Sequence, residues 1–317
     1  MNSSASHASH SGVESFKISE EAIQNGRFLV ETYPVLDPSK LEEPPGAQHE
    51  MLYYGKLVNP KRPATDKALL FVPGLGGTVR FALAFLDAML PHYSCIYAPD
   101  LRGYGLNYRE APLDSLKPII RDLESFHQAI LNPSSHQALD LCGISLGGIL
   151  ATMLASQWRF YKEDYKRLAL LVPAFKASPV KFTPAYVLRQ VTQRYLLGNK
   201  YTRLPYGIDS LTQNTRFLEG EEKYGGDPLT FSVDYLLEVR SLGLKAMEQV
   251  KRLEISTLMA IADKDVVCDP KTMRRAYRHL PESLDKKLLE YPTLYHDILM
   301  EEEAPEIGEA VGSWLNR

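Results

Sequence analysis

The chain has 317 residues, of which 44% are hydrophobic and 24% charged, with a formal net charge of −3 at pH 7. That length suits one large α/β domain with an insertion, and the slightly acidic balance gives no support for a polyanionic partner such as nucleic acid. Its three cysteines, Cys95, Cys142 and Cys268, are odd in number and widely spaced, so they form neither a disulfide framework nor a CxxC metal site and read as buried free thiols.

In chain order, residues 1–15 come first, rich in Ser and His (His7 and His10 among them), and read as a disordered tail. They lack the apolar core of a secretory signal, and no stretch reaches the ~18 consecutive apolar residues of a membrane span. A cytoplasmic address is therefore expected. The segment "EMLYYGKL" (50–57) reads as an early strand, and "KALLFVPG" (67–74) as a strand buried on both faces. The same pattern returns at 93–100, 138–143, 167–173, 256–263 and 286–292, with helical patterns at 80–90, 115–131, 146–160, 271–279 and about 305–316. Strands alternating with helices specify an α/β fold: a mostly parallel central sheet with helices on both faces. Residues 175–253 lack clear strands and carry helical patterns such as "AYVLRQVTQRYLL". They read as a helical insertion dividing a core of residues 16–174 and 254–317. In such sheets ligands bind beyond the carboxyl ends of the strands, so chemistry is expected just after each strand pattern.

One motif meets that condition at once. In "LCGISLGGILATMLAS" (141–156), Ser145 stands between Gly143 and Gly147, after an apolar strand and before a helical face of Leu146, Ile149, Leu150, Met153, Leu154 and Trp158. A strand that turns sharply into a helix through a serine needs small residues on either side, because side chains there collide as the chain reverses. The turn lifts the hydroxyl above the sheet at a helix N-terminus, where developing negative charge is favoured.

A serine hydroxyl is a weak nucleophile and needs a base, which in turn needs an acid to orient it. The chain order for this arrangement is Ser, then Asp or Glu, then His. "LMAIADKDVVCDP" (258–270) offers Asp263, Asp265 and Asp269 after the sixth strand pattern, and "YPTLYHDILMEE" (291–302) offers His296 after the seventh. Of the eight histidines, only His296 follows the last strand; His92, His127, His136 and His279 fall in helices, at helix ends or in loops. Two backbone N–H groups are needed to hold an oxyanion. Leu146 supplies one, and Leu75 in "FVPGLGGT" (71–78) the other; that loop lacks the Lys-Ser/Thr ending of a phosphate-binding loop.

With "PGLGG", "PDLRGYG" (99–105), "GISLGG" (143–148), "ADKDVV" (262–267) and "HDILME" (296–301), residues 50–315 resemble the α/β-hydrolase superfamily, and within it the monoacylglycerol lipases and lysophospholipases. The resemblance selects Asp265 as the acid, three residues after the position where the family has a glycine (Ala262 here), with Asp263 as runner-up. It makes 175–253 a cap over an acyl pocket, to which Tyr186, Tyr195, Tyr201, Tyr206, Tyr224 and Tyr235 would contribute. It implies carboxylic ester hydrolysis on a small-molecule acyl ester or lipid by a Ser145–His296–Asp265 triad, with no metal or organic cofactor. Two departures stand out: Pro73 replaces a usual histidine, and Asn107 a usual serine, the latter expected to matter little. Arg102 is expected to hold the loop behind the site. Amide hydrolysis, acyl transfer, a non-catalytic binder and a lipase in peripheral contact with a membrane are the rival readings.

Overall fold

A computed structural model describes residues 28–35, 50–108, 113–129, 131, 136, 138–156, 164–198, 200–218 and 229–317. The tail with His7 and His10, Trp158 and the rest of 157–163, and Tyr224 lie outside the described residues.

The continuous apolar runs form the centre of a sheet. Ala68–Val72 (β3), Cys95–Pro99 (β4) and Leu139–Ile144 (β5) are buried at every position, as strands covered on both faces must be. Around them stand Phe28–Pro34 (β1), Met51–Val58 (β2), Tyr165–Leu171 (β6), Ser256–Ala262 (β9) and Lys286–Tyr291 (β10). The order is β1-β2-β4-β3-β5-β6-β9-β10. The β1/β2 and β2/β4 pairs are antiparallel and all later pairs parallel, so every strand of this sheet from β3 onward ends at the same edge. β1 is an addition to the strands read from the sequence.

Helices Leu83–Met89 (α1), Lys117–Ala129 (α2) and Leu146–Ser156 (α3) follow β3, β4 and β5. Residues 146–155 of α3 are all buried, because the helix lies between the sheet and a later helix, Val233–Gln249; a helix apolar all round belongs in such a place. At the C-terminus, Ala304–Leu315 packs against α1.

Between β6 and β9 the chain leaves the sheet. It forms Pro184–Leu196 (α4), Thr215–Leu218 (α5) and Val233–Gln249 (α6). The α4 start is capped by Thr183, whose side chain accepts the Tyr186 N–H, and the α6 start by Ser232 in the same way with Tyr235. The insertion is not free of strands: Tyr201–Arg203 (β7) and Thr230–Ser232 (β8) form a small antiparallel pair. Three-residue strands are too short to leave a periodic signature. Pro270–His279 (α7) and Ala304–Leu315 (α8) complete the chain.

Candidate active site

Ser145 occupies the turn from β5 to α3 with φ at 54°, a conformation that non-glycine residues seldom adopt. The turn is pinned on every side. Its N–H donates to Leu171 O (2.9 Å), and its carbonyl accepts from Gly148 (3.0 Å), Ile149 (3.3 Å) and Ala174 (3.0 Å). Val172, beside it, also has positive φ (39°), a second strained residue with no signal in the sequence. The two flanking glycines are required by space: a Cβ on Gly147 would lie 2.0 Å from Val72 O, and one on Gly143 2.3 Å from Gly147 O.

The other two groups arrive from the ends of β9 and β10. His296 Nε2 lies 2.9 Å from Ser145 Oγ, and His296 Nδ1 lies 2.7 Å from Asp265 Oδ2. The acid and the imidazole are buried, Asp265 4% and His296 6% exposed, whereas Ser145 is partly exposed. The remaining carboxylate oxygen, Oδ1, accepts the N–H groups of Val267 and Cys268, both at 2.8 Å. With the carboxylate accepting, Nδ1 carries the ring proton and Nε2 presents a lone pair to the serine. Burial penalises the charged imidazole, but the Asp265 carboxylate, helped by Asp297, outweighs it and raises the His296 pKa.

The three candidate aspartates separate by what they touch. Asp269 caps α7, accepting the Lys271 N–H and the Thr272 hydroxyl. Asp263 pairs with Arg274 at the surface, and Arg274 also holds Glu290 at 2.7 Å. Only Asp265 of the three hydrogen-bonds His296.

The loop carrying Leu75 lies directly against the serine, since a Cβ on Gly74 would be 3.2 Å from Ser145 Cβ. Leu146 is the first residue of α3, where N–H groups have no acceptor within the helix. That loop is tied down by a residue the sequence reading did not single out. Asp100, buried at the end of β4, accepts the Val79 N–H (2.7 Å) on one oxygen and the Leu106 N–H (2.9 Å) on the other. Burial, partly offset by those two bonds, pushes its carboxyl up to about 6. Its place in "PDLRGYG" was the available signal.

Arg102, in the loop after β4, grips Asp122 through two bonds (2.6 and 2.7 Å) and Glu50 through two more (2.8 Å each). Asn107, expected to matter little, is a buried clamp: it accepts the Tyr53 N–H (2.8 Å) and donates to Tyr53 O (2.9 Å) and Asp100 O (2.8 Å). A serine hydroxyl has a single proton to give and could not make both donations.

The insertion is fastened to the two loops that carry Asp265 and His296. Ser178 N–H donates to Val267 O (2.8 Å), Asp269 N–H to Lys176 O (2.9 Å), and Asp297 N–H to Leu211 O (2.8 Å). Asn214 Nδ2 reaches Met300 O at 2.8 Å. Of the insertion's tyrosines, Tyr206 stands near Cys268 and Asp265, its hydroxyl pKa raised first by burial and then by those two groups; Phe182 packs edge-on to it at 5.9 Å. Tyr195 lies at the surface, 60% exposed. Cys95, Cys142 and Cys268 are free and buried. Among the described residues, one donor atom each from Asp265, Cys268 and His296 fall within 4.8 Å of one another, the composition of a metal-binding set.

A serine on a strained strand-to-helix turn, over the carboxyl edge of this strand order, with helices on the sheet, defines the α/β-hydrolase fold. The chain belongs to the serine aminopeptidase S33 family of hydrolases, whose family model matches residues 63–303. No curated protein matches it in sequence. Its structure is similar to that of a monoacylglycerol lipase from Paleococcus ferrophilus (TM-score 0.68, 21% identity, covering 84% of this chain and 98% of that one). It is also similar to a soluble variant of monoglyceride lipase from Saccharomyces cerevisiae in complex with a substrate analogue (TM-score 0.70, 18% identity, 90% and 96% covered). An enol-lactonase from Burkholderia xenovorans LB400 shares the fold too (TM-score 0.60, 16% identity, 84% and 97% covered). Among the described residues, no helix is long and apolar enough to cross a membrane.

Proposed function

We propose that this chain hydrolyses carboxylic esters through an acyl-enzyme on Ser145, with medium-to-long acyl esters such as monoacylglycerols or lysophospholipids as its substrates. One observation carries the reading: the unbroken relay from Ser145 Oγ through His296 to buried Asp265. His296 Nε2 takes the hydroxyl proton as Oγ attacks the ester carbonyl. The N–H groups of Leu75 and Leu146 hold the oxyanion, aided by the positive end of α3. The imidazolium, stabilised by Asp265, then protonates the leaving alcohol. Water activated by the same nitrogen cleaves the acyl-enzyme and restores the serine.

The acyl preference is supported by the insertion acting as a cap, residues 175–253, whose Phe182, Tyr206 and Leu211 pack as partly buried apolar groups against the core. It is supported as well by the monoglyceride lipases that share the fold. The description of the family as serine aminopeptidases favours a second reading, hydrolysis of an amide at an amino-terminal residue. The triad serves both without change.

The test is turnover of p-nitrophenyl esters from acetyl to palmitoyl, beside aminoacyl p-nitroanilides, by the wild type and Ser145→Ala. Serine-dependent ester turnover peaking at medium-to-long chains is expected. A preference for the anilides would give the second reading, and turnover indifferent to Ser145→Ala would remove the triad mechanism.

A further inference from the structure

We infer that the first helix of the insertion, α4, docks the protein on an anionic lipid surface. Leu188, Tyr195 and Leu196 enter the headgroup layer, and Lys and Arg side chains around them meet the lipid phosphates. A helix that only packs on a core buries its leucines and shows its polar residues; α4 does the reverse. Its buried residue is Gln190, and Leu188, about 200° round the helix from it, is 68% exposed. Tyr195, seven residues on, shares the Leu188 face, and Leu196 adjoins it. With Val180 before the helix and Leu197 after it, these are the five most exposed large apolar side chains among the described residues. They are 60–78% exposed, against at most 51% for any other. Apolar groups gathered in this way on one exposed segment mark an interaction surface.

Charge selects the occupant. Residues 175–208 carry six Lys and Arg and no Asp or Glu, in a chain whose net charge is −3. Arg194 is engaged by Asp234 at 2.7 Å, and Asp234 also accepts the Tyr195 hydroxyl at 3.1 Å. Lys176, Arg189, Lys200 and Arg203 lie exposed. A two-fold dimer through this face would set like charge against like charge. An anionic bilayer matches both features: phosphates for the cations, and beneath them an apolar layer that needs no shaped counterpart for the leucines.

The docking face is already formed before any contact is made. Thr183 caps the start of α4, the Tyr186 hydroxyl donates to Arg203 O at 2.7 Å, and the Arg194–Asp234 pair ties the helix to α6. Little ordering entropy is therefore left to lose on binding. Docking rests on none of the chemistry proposed for Ser145.

The full chain is sedimented with vesicles of phosphatidylcholine alone and of phosphatidylcholine mixed with phosphatidylglycerol. Binding should be stronger to the mixed vesicles and should weaken as salt is raised. The pair Leu188→Ser and Leu196→Ser should lower the partition coefficient at least about tenfold. The pair Arg189→Gln and Lys200→Gln should lower it about tenfold on the mixed vesicles. All four side chains are exposed, and an unchanged circular dichroism spectrum checks each fold; should one pair misfold, the other still decides. No binding to the mixed vesicles, equal binding to both kinds, or binding indifferent to either pair overturns the inference. Self-association that the leucine pair abolishes, without vesicle binding, gives the surface to a second copy and also overturns it. Vesicle binding without any ester turnover leaves the docking face standing and removes the proposed function; turnover without vesicle binding does the reverse.

Discussion

His296 is held between opposing influences, and the balance is measurable. Burial lowers its affinity for a proton; Asp265 and Asp297 raise it, and they prevail. In the proposed mechanism the neutral ring is the base, so kcat/KM should rise with pH through a midpoint above the ordinary histidine value of about 6.5. Replacing Asp265 by Asn should move that midpoint down and cost about four powers of ten in kcat, through loss of the tautomer and of charge support. Asp263→Asn should change kcat by no more than a few-fold, since the exposed pair it makes with Arg274 contributes about 0–1 kcal/mol. A pH–rate profile of the three proteins checks both statements. Ser145→Ala and His296→Ala should each lower kcat by about four to six powers of ten with an unchanged circular dichroism spectrum. At this scale the serine and the histidine were legible because order along the chain nearly determines them. From spacing alone the acid was not, since three aspartates follow one strand within seven residues; the family resemblance singled out Asp265, and its contact with His296 agrees with that choice. Cys268 is the buried free thiol that its apolar surroundings predict.

The strand-to-helix turn between β5 and α3 tolerates no added carbon. At Gly147 the colliding atom would be a backbone oxygen in β3, which has no rotamer by which to withdraw. Gly147→Ala should therefore reduce stability by about 3 kcal/mol or more, seen as a lowered urea midpoint; a midpoint equal to wild type would mean that the turn is looser than described. The central strands were legible because burial on both faces demands uninterrupted apolar residues. β1 was not: its positions run from buried to exposed without regular alternation. The β7/β8 pair escaped because three residues hold too little pattern.

Across the whole molecule, the charge cluster around Arg102 joins distant segments. Arg102, Asp122 and Glu50 come from the loop after β4, from α2 and from the start of β2. Removing the guanidinium in Arg102→Leu takes both charged hydrogen bonds from buried Asp122, so a loss of about 3–5 kcal/mol is expected in urea unfolding. The sequence marked Arg102 as a structural residue, yet its partners are 20 and 52 positions away, a separation that composition and periodicity cannot span.

The fastening of the insertion has a different consequence. Three of its ties to the acid and base loops run from main chain to main chain: Ser178 to Val267, Asp269 to Lys176, and Leu211 to Asp297. Such ties do not depend on which side chains the insertion carries. On the proposed function, the residues around Phe182, Tyr206 and Leu211 can therefore be exchanged, and substrate preference with them, while the alignment of Asp265 and His296 stays intact.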